Sequence, residues 1–310
     1  MELNEMYEHL SSVTTIPIVP FKNQKIDGIG HRKNIRYLMD NNFLNNHRRR
    51  VISIAGTSLI HHFTPEEQIE LIDIAGQEMA DEGILISGIV PNPIATAVDI
   101  IRKQSILPNP PDVYLLMPLT GVADPEGIYQ MYSTLGEDLG EECGAKFILY
   151  MRSKDHMETI IRLINESPHF VGVKVGTVEE DVPTMKRGIG DNGIVIWGVG
   201  DRCTKAASLG AIGHTSGIAV VAARACDEIN NAQRAGDLHT SQQIENIIEP
   251  LENLRFMNNR QYNYSAVVEA MKIGGWNNVE PGEGGPFNPR VPINIAEQVK
   301  EAVSKLESYH

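Results

Sequence analysis

Eight short apolar runs recur along this chain. Each is dense in Val, Ile and Leu, and each is followed by a longer stretch with helical spacing and polar faces. They are Thr14 to Pro20, Val51 to Gly56, Ile84 to Val90, Val113 to Pro118, Lys146 to Met151, Phe170 to Gly176, Gly193 to Gly200 and Ala211 to Ala219. Runs that are apolar nearly throughout, rather than alternating, suit parallel strands covered on both faces. Eight β-then-α units without a doubly wound dinucleotide fingerprint favour closure into a barrel. The expected class is therefore α/β, a (β/α)8 TIM barrel over residues 1–224. A C-terminal helical extension, residues 225–310, is expected to pack on it, interrupted by the Pro/Gly-rich stretch VEPGEGGPFNPRVP.

Helix starts are legible. Thr64 precedes Pro65 and two glutamates, and Asp124 precedes Pro125 and Glu126. These arrangements put a side-chain acceptor at the N-cap, a proline where no N–H is needed, and negative charge at the positive helix end. The 310 residues suffice for one large barrel with additions.

Composition narrows the function. Lys and Arg number 27 against 40 Asp and Glu, a net charge of −13. That balance opposes a general grip on nucleic acid, which needs a basic face. The one basic cluster, His47 to Arg50, reads as a solvated turn before a strand and is assigned no function. No apolar run reaches the roughly 18 residues of a membrane span, and the polar, acidic start MELNEMYEHL is unlike a secretory signal. A cytoplasmic protein without a membrane partner is expected. Cys143, Cys203 and Cys226 lack metal-ligand or disulfide spacing and read as reduced packing residues. The pair His61 and His62 has no evident third ligand, so no metal is expected.

In a barrel of this kind the chemistry lies at the C-terminal ends of the strands. Lys174 interrupts the apolar run VGVKVG there. A buried, unpaired ammonium is unfavourable, so this amine should have a depressed pKa or a partner, and a neutral amine is what imine formation with a carbonyl requires. The alternative is a lysine that snorkels to solvent. Tyr150 ends the preceding run, where its phenol could relay protons or merely cap the strand with its OH in water.

Together, FILY and HFVGVKVGT resemble the dihydrodipicolinate synthase/N-acetylneuraminate lyase family of class I aldolases and dehydratases. TIPIVPF, FTPEEQIELI, MPLTGVADPEGIYQMY and GHTSG extend the resemblance in order over nearly the whole chain. The resemblance implies a Schiff base on Lys174, Tyr150 as proton shuttle, no cofactor, a small 2-keto acid as partner, and a homodimer or homotetramer. It also implies a carboxylate-binding loop at Gly56, Thr57 and Ser58, where Gly56 replaces the family's first threonine. Thr120 stands where the synthases carry an aromatic completing the relay, which disfavours the synthase itself. MRSKDHMETI departs from the family's NVPxRTG stretch. With YSAVVEAMKIGG and GGPFNPRVP it looks more like the 5-dehydro-4-deoxyglucarate dehydratase-like branch.

Arg152 could meet a distal carboxylate or hydroxyl, or a surface acid. Thr215 and Ser216 could bond substrate hydroxyls, and His214 could be either a site or a packing residue. GVGDR is expected to be a strand-to-helix turn in which Gly198 lines the pocket and Asp201 caps the helix. The reading is a lyase acting on a 2-keto acid such as a 2-keto-3-deoxy sugar acid, by dehydration or by retro-aldol cleavage to pyruvate. The alternatives are synthase-like condensation of pyruvate with an aldehyde and a non-catalytic 2-keto acid-binding barrel. A phosphate-binding isomerase barrel ranks last.

Overall fold

A computed structural model describes residues 2–310. Eight parallel strands close into a barrel in which each strand pairs with its sequence neighbours and the last pairs with the first. They are β1 (Val13–Thr15), β2 (Arg50–Ile54), β3 (Gly83–Ile89), β4 (Val113–Leu116), β5 (Phe147–Met151), β6 (Phe170–Val175), β7 (Ile194–Trp197) and β8 (Gly213–Ser216). Nearly every strand residue is buried on both faces, as the continuous apolar runs require. Each expected run coincides with one strand, although β1, β2 and β3 begin one residue earlier, at Val13, Arg50 and Gly83. The strands stop short of the flanking Pro and Gly residues, which begin the loops of the barrel mouth.

The helices start where the sequence places them. Thr64 and Glu67 form a reciprocal capping box on the helix Pro65–Met79. Asp124 accepts from the amides of Glu126 and Gly127 at the start of the helix Pro125–Cys143. A C-terminal helical part follows the barrel, but the helix Ala219–Arg234, which succeeds β8, runs through the expected boundary at 224/225. It packs against both β1 and β8, as the eighth barrel helix should.

The basic cluster departs from its expected solvated role. Arg48 and Arg50 are 3% and 1% exposed. Arg50 donates from both terminal nitrogens to the Asp227 carboxylate, at 2.8 and 2.6 Å, and so ties β2 to the helix Ala219–Arg234. Arg48 donates to the side chains of Asn230 and Asn231 on the same helix. A charge run read one residue at a time conceals partners about 180 residues away.

One irregularity sets the register at the site. Phe147 lies opposite Phe170, but Ile148 lies opposite Gly172, so β6 advances two residues while β5 advances one. This bulge brings Tyr150 opposite Lys174; an unbroken register would have set it opposite Val173.

Candidate active site

Lys174 is 4% exposed, and its Nζ lies 4.3 Å from the centre of the Tyr150 ring. Two glycines at strand ends make this approach possible. A Cβ on Gly198 would fall 2.9 Å from Lys174 Cγ and 2.8 Å from the Val175 carbonyl oxygen, and one on Gly176 would strike the Tyr150 ring. The Tyr150 hydroxyl donates weakly to the Gly198 carbonyl at 3.5 Å, and Arg152 Nη1 lies 3.4 Å from the same hydroxyl.

The electrostatics follow from burial and charge. Burial lowers the Lys174 pKa; an ionised Tyr150 would oppose that fall, while Arg260, Arg152 and Arg255 add to it. For Tyr150, burial alone would raise the phenol. The positive charges of Lys174, Arg152 and Arg260 outweigh it and bring the value down to about 8. Both groups are therefore shifted downward, as expected for an amine that must lose a proton and a hydroxyl that must exchange one.

Both open into a cavity of about 380 Å³ at the barrel mouth. Gly56, Thr57, Thr120, Arg152, Gly198 and Thr215 also line it. The Thr120 hydroxyl sits 3.0 Å from Asn92 Nδ2 at the rim, and Thr215 Oγ1 donates to the Trp197 carbonyl at 3.3 Å.

Ser58 and Ser216 are not among the lining residues. Ser58 Oγ is buried and donates to the Pro17 carbonyl at 2.7 Å, while Ser216 Oγ is 3.2 Å from Cys226 Sγ beneath the mouth. Asp201 is not the expected cap. The helix Thr204–Ser208 begins after Cys203, and Glu245 Oε2 accepts from the amides of Cys203 and Thr204. Asp201 is instead fully buried and meets His214 Nε2 at 3.2 Å, so His214 belongs to the packing beneath the site. Of the two histidines in the loop after β2, His61 lines the cavity and His62 packs at a tilt against the Phe287 ring, 5.2 Å between centres. Among the described residues no three His, Cys, Asp or Glu side chains are grouped to hold a metal ion.

The remaining wall comes from the C-terminal part, which the sequence reading left without site residues. Arg255, Phe256, Arg260 and Asn263 all line the cavity. Arg255 is 2% exposed; it pairs with Glu252, and its Nη2 donates to Asn263 Oδ1 at 2.6 Å and lies 3.4 Å from Thr57 Oγ1. Burial raises the Glu252 carboxyl, Arg255 pulls it back, and the nearby Asp201 carboxylate adds to the rise. Added methyl groups on Gly200 and Gly217 would strike Glu252 and Arg255 respectively, so these two glycines admit the pair to the strand ends. Arginines spaced along an ordinary amphipathic helix give no sequence signal for this role.

The model of the Dihydrodipicolinate synthetase family matches residues 9–305. The chain belongs to this family. Its members are aldolase-type lyases that use no external cofactor, a lysine serving as the point of imine formation with pyruvate. Among solved structures, the dihydrodipicolinate synthase from Oceanobacillus iheyensis is 20% identical with a TM-score of 0.87, the match covering 99% of this chain and 100% of that one. The synthase from Bacillus clausii is 21% identical with a TM-score of 0.85, over 96% and 98% of the two chains. The chloride-inhibited synthase from Acinetobacter baumannii, complexed with pyruvate, is 21% identical with a TM-score of 0.80, over 96% and 99%. At these identities the likeness speaks for the fold. No curated protein matches the chain.

Proposed function

We propose that the protein is a Schiff-base lyase acting on a small 2-keto acid, with Lys174 as nucleophile and Tyr150 as proton shuttle. The observation that carries this reading is the 4.3 Å approach of the Lys174 amine to the Tyr150 ring inside the mouth cavity. The family membership supports it, and the depressed lysine favours the neutral amine that attacks a carbonyl.

Neutral Lys174 adds to C2 of the keto acid, and the carbonyl π pair moves to oxygen. After proton transfer the carbinolamine oxygen leaves as water, and a protonated imine remains. That cation draws electrons from C3. Tyr150 or a water it orients removes the C3 proton, and the resulting enamine expels the C4 hydroxyl as water when a proton is supplied to it. In the cleavage variant the C4 hydroxyl loses its proton, the C3–C4 bond breaks, and its electron pair forms the enamine of pyruvate while an aldehyde departs. Protonation of the enamine at C3 and hydrolysis of the imine then return the amine. Thr57, which lines the cavity in the turn after β2, is proposed to receive the α-carboxylate, and 2-keto-3-deoxy sugar acids are the substrates proposed, as in the dehydratase-like branch.

The test is the intact mass after borohydride reduction with pyruvate. A pyruvate-sized adduct that disappears in Lys174→Ala is expected. If neither pyruvate nor longer 2-keto acids leave an adduct, the proposed chemistry is wrong.

A further inference from the structure

A second cavity, of about 220 Å³, shares Met117, Pro118, Tyr150 and Arg152 with the mouth cavity. The rest of its wall comes largely from outside the barrel. Alternation along β5 sends Leu149 outward to the helices while Tyr150 faces the mouth. Ile128 and Tyr132 of the helix Pro125–Cys143 and Ile160 of the helix Met157–Glu166 line the chamber with Leu149. This side chamber therefore lies between the barrel and its helical layer, with Tyr150 in the wall common to both cavities.

The chemistry of the two spaces differs. Lys174 and three arginines line the mouth. Among the described residues no Lys, Asp or Glu lines the side chamber, and Arg152, in the common wall, is its one guanidinium. Ser153 and His156 come from the turn after β5, and the Ser153 hydroxyl is engaged, donating to Asp155 Oδ2 at 3.0 Å. Tyr132 is not engaged. It is 8% exposed, and its hydroxyl meets no hydrogen-bonding partner among the described residues, so burial raises the phenol unopposed.

A hydroxyl withdrawn from water without a partner is unfavourable. Water could satisfy it, but would leave the apolar lining of Leu119, Ile128, Leu149 and Ile160 unmatched. Close-packed interiors leave few voids larger than a water molecule. An apolar cavity of about 150 Å³ takes up benzene, so this chamber has room for a ring with one small substituent.

We propose that the side chamber is a second ligand site, for a neutral ring-sized molecule whose hydrogen-bond acceptor meets the Tyr132 hydroxyl, and that its occupant acts on Tyr150 through the common wall. The proposal goes beyond the Schiff-base reading, since binding there requires neither Lys174 nor a keto acid. An apolar occupant replaces water against the Tyr150 ring and so disfavours the phenolate.

The probes are benzonitrile and phenylacetylene, which have the same shape and differ in that only the nitrile ends in a strong acceptor. Dissociation constants are read by ligand-observed NMR on the full chain. Tyr132→Phe should weaken benzonitrile about fivefold, the worth of one hydrogen bond, and leave phenylacetylene unchanged. Ile160→Phe should fill the chamber and abolish binding of both; Leu119→Trp, from the loop after β4, fills it independently, and the thermal midpoint of each variant reports that it is folded. Arg260 lines the mouth and not the chamber, so Arg260→Gln should leave both constants as they are. With benzonitrile bound, the Tyr150 ionisation near pH 8 should move upward. If neither probe binds, if Tyr132→Phe does not single out benzonitrile, or if Arg260→Gln weakens the probes as the filling variants do, the second site is overturned. An ionisation that stays in place with benzonitrile bound overturns its action on Tyr150. None of these results bears on adduct formation at Lys174, so the Schiff-base reading stands or falls separately.

Discussion

Replacing Lys174 by Met tests the central electrostatic claim without using any substrate. The substitution keeps an unbranched stem in the barrel and removes the charge facing the Tyr150 ring. In the intact protein Tyr150 titrates at about 8 because the charges of Lys174, Arg152 and Arg260 together outweigh burial. Lys174 is the largest of these influences. Without it burial should dominate, and the phenol should return to or above its ordinary value near 10. A shift of two pH units corresponds to about 2.7 kcal/mol of lost preference for the phenolate. The assay is a tyrosinate absorbance titration of wild type, Lys174→Met and Tyr150→Phe. Five other tyrosines, Tyr7, Tyr37, Tyr114, Tyr132 and Tyr264, are pushed upward by burial, so they do not obscure the low step. One tyrosine ionising near pH 8 is expected in wild type, absent from Tyr150→Phe and displaced upward in Lys174→Met. A low step that stays in place in Lys174→Met would refute the argument that the amine sets the phenol.

The rate of adduct formation should rise with pH through the Lys174 pKa, because only the neutral amine attacks; burial lowers that pKa, so the rising limb should lie below the ordinary lysine value of 10.5. Tyr150→Phe should still form a trapped adduct but lose roughly 100- to 10,000-fold in turnover of a 2-keto-3-deoxy acid, the usual range for a lost general acid/base. Arg50→Ala would leave Asp227 buried without its partner and should destabilise the fold by about 3–5 kcal/mol, read from the denaturant midpoint. Gly217→Ala drives a methyl group into the Arg255 guanidinium, so KM should rise more than kcat falls; unchanged kinetics would place Arg255 outside substrate recognition.

The barrel was legible because its signal is repeated eight times and depends only on local period. Lys174 stood out for a related reason: one charge inside an apolar strand demands an explanation. Its pairing with Tyr150 was less secure in the sequence, since alignment across the two strands depends on the bulge at Gly172, which no pattern of residue types reveals. Ser58, Ser216 and Asp201 show the opposite difficulty. Their hydroxyls and carboxylate lie close to the right strand ends, yet bonds to Pro17, Cys226 and His214 turn them inward. Arg255 and Arg260 escaped notice because a residue's place at the barrel mouth depends on how a distant helix docks. Gly200 and Gly217 decide that docking, and their meaning appears only beside Glu252 and Arg255.

The order of parts along the chain has a consequence for synthesis. Tyr150 and Lys174 precede β8, whereas Arg255, Arg260 and Asn263 belong to the last fifth of the polypeptide. A nascent chain thus carries its reactive amine and phenol before it has the groups that complete the cavity wall. Since β1 must also wait for β8 before the barrel closes, substrate recognition matures with the final segments to emerge. Exchange of that late segment between related chains would be a way to alter what is bound while leaving the strand-borne amine and phenol untouched.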